Sequence, residues 1–175
     1  MARFLLLRHG ETAWDLPRGK GTKGWGIEIA PLTEKGIRQI QAIVPDIRDW
    51  APELFLSSPA TRTLESCALI CSELKMPFKV AFDLHEWIPD QTQMWTSIDE
   101  VRTAYEEMER CGGEWPEGET RGWEPLSQVR HRTLGVLEQY RKRSRVAVLC
   151  HEVVIKSLTG HNLGLAESIA YEISA

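Results

Sequence analysis

The run Arg8-His9-Gly10-Glu11-Thr12 follows directly on the apolar stretch Phe4-Leu5-Leu6-Leu7. A histidine beside an arginine at the end of a buried strand is a candidate phosphoryl acceptor. The guanidinium offers a planar fork of donors matched to phosphate oxygens, and a neutral imidazole is nucleophilic near neutral pH. One such pair carries little information, but two further strand ends repeat the theme. Arg62 follows Leu54-Phe55-Leu56-Ser57-Ser58-Pro59, in the first turn of an expected helix, where free backbone N–H groups already favour an anion. His151 follows Val146-Ala147-Val148-Leu149-Cys150, again at a helix start, and is suited to donate a hydrogen bond to a phosphoryl oxygen. Taken singly, Arg62 reads as a solvated surface arginine and His151 as a core histidine satisfied by a carbonyl. The repetition of the theme at three strand ends is what gives Arg8, His9, Arg62 and His151 weight as candidates for one anion site.

The elements that must position these groups follow from the apolar pattern. Residues 3–7 read as a buried strand. The segment from 8 to about 31 holds five glycines between Gly10 and Gly26 and reads as a long loop, a kind of segment that usually carries function. Thr33 is the expected N-cap of a helix with Ile37, Ile40, Ile43, Val44 and Ile47 as its stripe, and Pro45 is expected to kink or divide it. Strands are expected over 54–56, 78–82 and 146–149. Helices are expected over 60–75, 92–110 and 126–142 and from 151 through Leu158, with a glycine-, proline- and tryptophan-rich loop over 111–125. Strands alternating with helices predict an α/β three-layer sandwich, a mostly parallel sheet with helices on both faces. Ligands collect beyond the carboxyl ends of such strands, where Arg8, His9, Ser58 and His151 fall.

Composition narrows the function classes. At 175 residues and 42% hydrophobic content, one domain over 1–175 is expected. A net charge of −4 argues against a nucleic-acid partner, and the basic run Arg141-Lys142-Arg143-Ser144-Arg145 reads as a solvated helix end. The opening segment does not resemble a signal peptide and no run approaches a membrane span, so no membrane partner and a cytoplasmic location are expected. Of four cysteines, Cys67 and Cys71 share a helix face. That spacing would suit one edge of a metal site, although two small buried apolar residues are the plainer reading. No metal site is predicted.

In their order and spacing, Arg8-His9-Gly10-Glu11-Thr12, Pro31-Leu32-Thr33-Glu34-Lys35-Gly36, Ser57-Ser58-Pro59 through Arg62, and His151 after its strand resemble the histidine phosphatase superfamily, which includes cofactor-dependent phosphoglycerate mutases and many small phosphatases. The resemblance implies that His9 is the nucleophile that becomes phosphorylated and that Arg8, Arg62 and His151 hold the transferring group. It also implies a glutamate proton donor after the third strand. Leu84-His85-Glu86 fits that placement and makes Glu86 the choice, with Asp83, Asp90 and His85 as alternatives. Thr12, Asp15, Ser58 and Glu152 complete the implied substrate-binding set, with no metal and no cofactor. The physics agrees: a transferring phosphoryl group spreads charge over three oxygens, and the leaving alkoxide asks for a carboxyl of raised pKa.

Three positions depart from the superfamily pattern. Asp15 stands where asparagine is frequent, and is expected to point away, to pair with Arg18 or Lys20, or to signal a different substrate. Glu152 stands where glycine is common, so its side chain is expected to turn out of the pocket. The chain stops at Ala175, where many relatives continue into another strand, so a shorter sheet edge or a truncated chain is expected. Residues 87–125 form the expected cap. Trp95 is assigned to packing within its helical stripe. Trp115 and Trp123 are left between packing and a substrate-stacking wall, with Arg102, Arg110 or Arg121 as a second cation; Trp14 and Trp25 are candidates for the entrance. The implied reaction is hydrolysis of a small phosphorylated metabolite through a phosphohistidine, by a monomer or homodimer. The alternatives are a mutase-type phosphotransferase, a phosphoprotein phosphatase and a phosphate-ligand binding module with impaired chemistry.

Overall fold

A computed structural model describes residues 2–173. Along the chain run β1 (Arg3–Arg8), α1 (Asp15–Arg18), α2 (Glu34–Trp50), β2 (Leu54–Ser57), α3 (Thr61–Leu74), β3 (Phe78–Val80), α4 (Ile98–Arg110), α5 (Leu126–Glu138), β4 (Arg145–Cys150), α6 (Glu152–Thr159) and β5 (Ser168–Glu172). The sheet order is β3-β2-β4-β1-β5. β1, β2, β3 and β4 pair in parallel, and β5 runs antiparallel on the β1 edge. This is the expected α/β sandwich with a mostly parallel sheet.

The central strands are apolar throughout because both faces are covered. Alternate residues serve opposite layers. Phe4, Leu6, Leu56, Val146 and Val148 pack with Val129, Val136 and Leu137 of α5 and Val154, Ile155 and Leu158 of α6. Leu5, Leu7, Phe55, Ala147 and Leu149 pack with Ile40, Val44 and Ile47 of α2 and Cys67, Ile70 and Cys71 of α3. The Cys67 and Cys71 sulfurs lie 3.8 Å apart as buried free thiols; no group of three or more His, Cys, Asp or Glu side chains is placed to hold a metal ion among the described residues.

Several boundaries differ from the sequence expectation. Pro45 lies inside α2 without dividing it; the buried stripe Ile40, Val44, Ile47 runs across it, and that packing outweighs one missing N–H bond. The helix expected from residue 92 starts at Ile98, where Ser97 accepts the Glu100 N–H at 3.2 Å. Ahead of it, Asp90 accepts the N–H groups of Thr92 and Met94 and holds a turn. The loop after β1 contains α1 and a 3-10 turn at Gly24–Ile29. The third strand ends at Val80 and gives way to a 3-10 turn at Phe82–Leu84. The helix expected to reach residue 142 ends at Glu138. The terminal segment supplies the edge strand β5. No helix is long and apolar enough to cross a membrane among the described residues.

Candidate active site

β2, β4 and β1 lie side by side and run the same way, so their carboxyl ends open onto one place. The loops that follow bring His9, Ser58 and His151 together, and the first turn of α3 adds Arg62. The first loop is held by the start of α2. Thr33 caps α2 by accepting the Gly36 N–H at 3.0 Å and donates its hydroxyl to Glu11. Thr33 N–H reaches the Glu11 carbonyl, Ala13 N–H the Pro31 carbonyl, and Lys35 the Glu11 carboxylate at 2.8 Å. Two glycines make this contact possible. A Cβ on Gly10 would lie 2.5 Å from the Gly36 carbonyl oxygen, and one on Gly36 would lie 2.2 Å from that of Glu11. The separated sequence motifs Arg8–Thr12 and Pro31–Gly36 are thus two sides of one backbone contact.

His9 is 5% exposed. Its Nδ1 lies 2.7 Å from the Gly10 carbonyl, a partner that can only accept, so Nδ1 carries the proton and Nε2 the lone pair. Arg62 Nε donates to that Nε2 at 3.2 Å. Burial first, then the Arg62 guanidinium, hold the His9 pKa well below the ordinary imidazole value. Arg62, 2% exposed, lies between the two histidines: its Nη2 donates to His151 Nδ1 at 3.1 Å. The imidazole centroids are 5.3 Å apart. His151 Nε2 then carries the proton and donates to Ser58 Oγ at 2.7 Å. Burial and Arg62 also hold the His151 pKa well below normal.

Each arginine also meets a carboxylate. Arg62 Nη1 lies 2.8 Å from Glu28 Oε2; neither atom has a directed hydrogen bond, so this attraction is Coulombic. The Trp14 ring lies 4.8 Å from the Arg62 guanidinium carbon. Arg8 Nη1 donates to the Leu163 carbonyl at 2.5 Å, and Arg8 Nη2 pairs with Glu152 Oε2 at 2.6 Å.

Glu86 shares a cavity of about 560 Å³ with Arg8, His9, Thr12, Glu28 and Arg62. Burial pushes its carboxyl up to about 7, against the Trp87 N–H and the Arg62 charge. Its backbone is clamped from α5: Arg132 donates to the carbonyls of Asp83, His85 and Glu86, and pairs with Glu124 at 2.8 Å. Glu124 in turn accepts the Ile88 N–H, and its carbonyl accepts the Trp87 indole N–H.

Arg8, His9, Thr12, Arg62, Glu86 and Glu152 therefore all line one cavity. The other expected positions have different surroundings. Asp15 is exposed in α1 and does not line the cavity, and no ion pair joins it to Arg18 or Lys20 among the described residues. Ser58 is buried outside the lining and reaches the site through His151. His151 does not line the cavity either; both ring nitrogens are engaged, so its link to the cavity runs through Arg62. The Glu152 side chain does not turn away, because the Arg8 guanidinium is its nearest cation. Asp83, His85 and Asp90 lie outside the lining.

The tryptophans of the 87–125 segment divide between cavity wall and core: Trp95, expected to pack, is in the wall, and Trp123, left open, is in the core. Trp95 precedes α4 and lines the cavity, whereas Trp123 is 1% exposed in the core and accepts the Trp115 indole N–H on its carbonyl. Trp14 lines the cavity, while Trp25 packs on His85 and Phe82. Arg102 lines it too; Arg121 pairs instead with Glu107 and Glu119. Sequence reasoning missed Glu28, Glu124 and Arg132. A charge inside the apolar run Ile27-Glu28-Ile29 was a usable signal for the first; nothing local marks the other two.

The family model of the histidine phosphatase superfamily (branch 1) matches residues 4–174. Among curated proteins none matches the chain. Among solved structures, a mycobacterial glucosyl-3-phosphoglycerate phosphatase superposes with a TM-score of 0.75 at 17% identity, over 97% of this chain and 89% of that one. YhfR of Bacillus stearothermophilus gives 0.74 at 20% identity, over 99% and 92%. A candidate alpha-ribazole-5'-P phosphatase of Escherichia coli gives 0.68 at 21% identity, over 97% and 89%. At these identities the likeness is one of fold.

Proposed function

The chain belongs to the histidine phosphatase superfamily, and from that premise we propose that it is a phosphomonoesterase acting on a small phosphorylated metabolite through a phosphohistidine. The observation that carries the reading is the tautomer of His9, proton on Nδ1 and lone pair on Nε2, with Arg62 against that nitrogen. His9 Nε2 attacks phosphorus as the ester P–O bond breaks, and Arg8 and Arg62 balance the charge on the equatorial oxygens. The leaving alkoxide takes the Glu86 proton; a carboxyl titrating at about 7 is about half protonated at neutral pH, where an ordinary carboxyl has lost its proton. The Glu86 carboxylate then accepts a proton from water, whose oxygen attacks phosphorus. The P–N bond breaks, releasing phosphate and restoring His9.

Glu28 and Glu152 stand on the two arginines that the phosphoryl group needs, which keeps a binding module with weakened chemistry as the second reading. The deciding assay is hydrolysis of an aryl phosphate with chelator present, beside His9→Ala, with an alkaline denaturing quench to trap phosphohistidine. Turnover and a trapped phosphoryl group, both lost in His9→Ala, support the phosphatase. Phosphate binding without turnover supports the binding module. Interconversion of phosphoglycerates with little phosphate released supports a mutase.

A further inference from the structure

Beyond the groups that face phosphorus, much of the cavity wall is apolar. Trp14, Trp87, Trp95, Ile98, Val101 and Tyr105 contribute to it. Three of these lie on one face of α4, at the spacing 98, 101, 105. Ile98 lines the cavity while 40% exposed, a large apolar side chain left open to it.

The polar groups around Trp95 and α4 are largely engaged elsewhere. The Ser97 hydroxyl accepts the Glu100 N–H at the start of α4 and contacts the Glu100 carboxylate at 3.3 Å. The Thr12 hydroxyl faces the Gly10 carbonyl and His9. The Trp87 indole N–H donates to the Glu124 carbonyl at 2.6 Å. The Tyr105 hydroxyl accepts from Lys156 at 3.4 Å. Of the two cations outside the phosphoryl end, Arg102 pairs with Asp99 at 3.0 Å, whereas Arg18 lies over the Trp14 ring at 5.9 Å, away from α4, with its Nε unpartnered. A sugar or glycerate hydroxyl set against Trp95 and α4 would lose its water and find few replacement partners there, which is costly. An aromatic or alkyl group would gain burial and ring contacts.

Building on the phosphomonoesterase reading, we infer that the substrate is the phosphate ester of a bulky apolar alcohol, with an aromatic or branched alkyl body seated against Trp95 and α4. Such an ester meets the wall with the surface the wall offers, and its phosphoryl end meets Arg8, His9 and Arg62.

Two measurements test this. Hydrolysis of 2-phenylethyl phosphate is compared with that of glycerol 3-phosphate; both leave as alkoxides, so leaving-group chemistry is held nearly constant. Binding of 2-phenylethylphosphonate is compared by calorimetry with that of 2,3-dihydroxypropylphosphonate, which needs no turnover. Burial of one ring predicts a preference of about 10- to 100-fold in kcat/KM and in Kd for the phenyl compounds. In Ile98→Ser, at a half-exposed position that does not threaten folding, and in Trp95→Ala, that ratio falls at least severalfold. Equal or better use of glycerol 3-phosphate, or equal phosphonate affinities, overturns the inference and leaves a phosphatase standing. The expected phosphonate ratio without any turnover upholds the apolar pocket and overturns the hydrolytic reading instead.

Discussion

Replacing Glu152 by glutamine removes a negative charge lying 2.6 Å from Arg8 Nη2. A phosphoryl oxygen bound to the same guanidinium brings phosphorus to about 5 Å from that carboxylate, given charge-assisted bonds of ~2.8 Å. At an effective dielectric of about 20 to 80, two unit charges at that separation repel by ~0.8 to ~3 kcal/mol. The Glu152 side chain is 31% exposed, so solvent screening sets the value in the lower part of that range, about 1 to 2 kcal/mol. Glu152→Gln is therefore expected to tighten inhibition by inorganic phosphate and vanadate about 5- to 30-fold at pH 7.5, since ~1.4 kcal/mol is a factor of ten. The gain shrinks as salt rises. Glu152 lies in the first turn of α6, and losing its dipole interaction and its exposed pair costs about 1 kcal/mol or less each. Tm thus moves by only a few degrees. The assay is competitive inhibition of aryl phosphate hydrolysis at two ionic strengths. Unchanged or weaker phosphate binding in Glu152→Gln refutes the reasoning, because the carboxylate would then not compete for the arginine.

Other outcomes follow from the same geometry. The acid Glu86 acts in its protonated form, present below its pKa of about 7 and lost above it. The kcat profile is thus expected to fall about tenfold per pH unit on the alkaline side, and Glu86→Gln to lose roughly 10²- to 10⁴-fold in kcat; an alkaline limb that persists in Glu86→Gln would assign the titration elsewhere. Arg132→Ala leaves Glu124, 6% exposed, without its cation and is expected to destabilise by about 3 to 5 kcal/mol in urea unfolding. Arg132→Lys keeps a charge but loses the fork that spans three carbonyls and a carboxylate, so it is expected to lower kcat with a smaller stability loss. Gly36→Ala drives a Cβ to 2.2 Å from the Glu11 carbonyl oxygen. Its expected result is displacement of the His9 loop, read as loss of activity together with a lowered Tm.

Local pattern was enough for the architecture and for the identity of the chemical groups. Apolar runs at residues 4–7, 54–56 and 146–149 declare strands covered on both faces, and parallel strands bring their ends together wherever the sheet order puts them. Thus Arg8, His9 and Arg62 were readable as one site before any coordinate, as was the capping Thr33. The pairings inside the site were not readable, because they join residues far apart in the chain through side-chain orientation. Ser58 engages a histidine 93 positions away, and Arg132 grips a turn nearly fifty positions back. Asp15 and Glu152 illustrate the difference. Each is a carboxylate at a motif position, yet a one-turn helix carries the first to solvent, while α6 sets the second against Arg8. Hydrophobic periodicity states which face of an element is buried; which charge meets which is decided only when the packed elements bring their ends together.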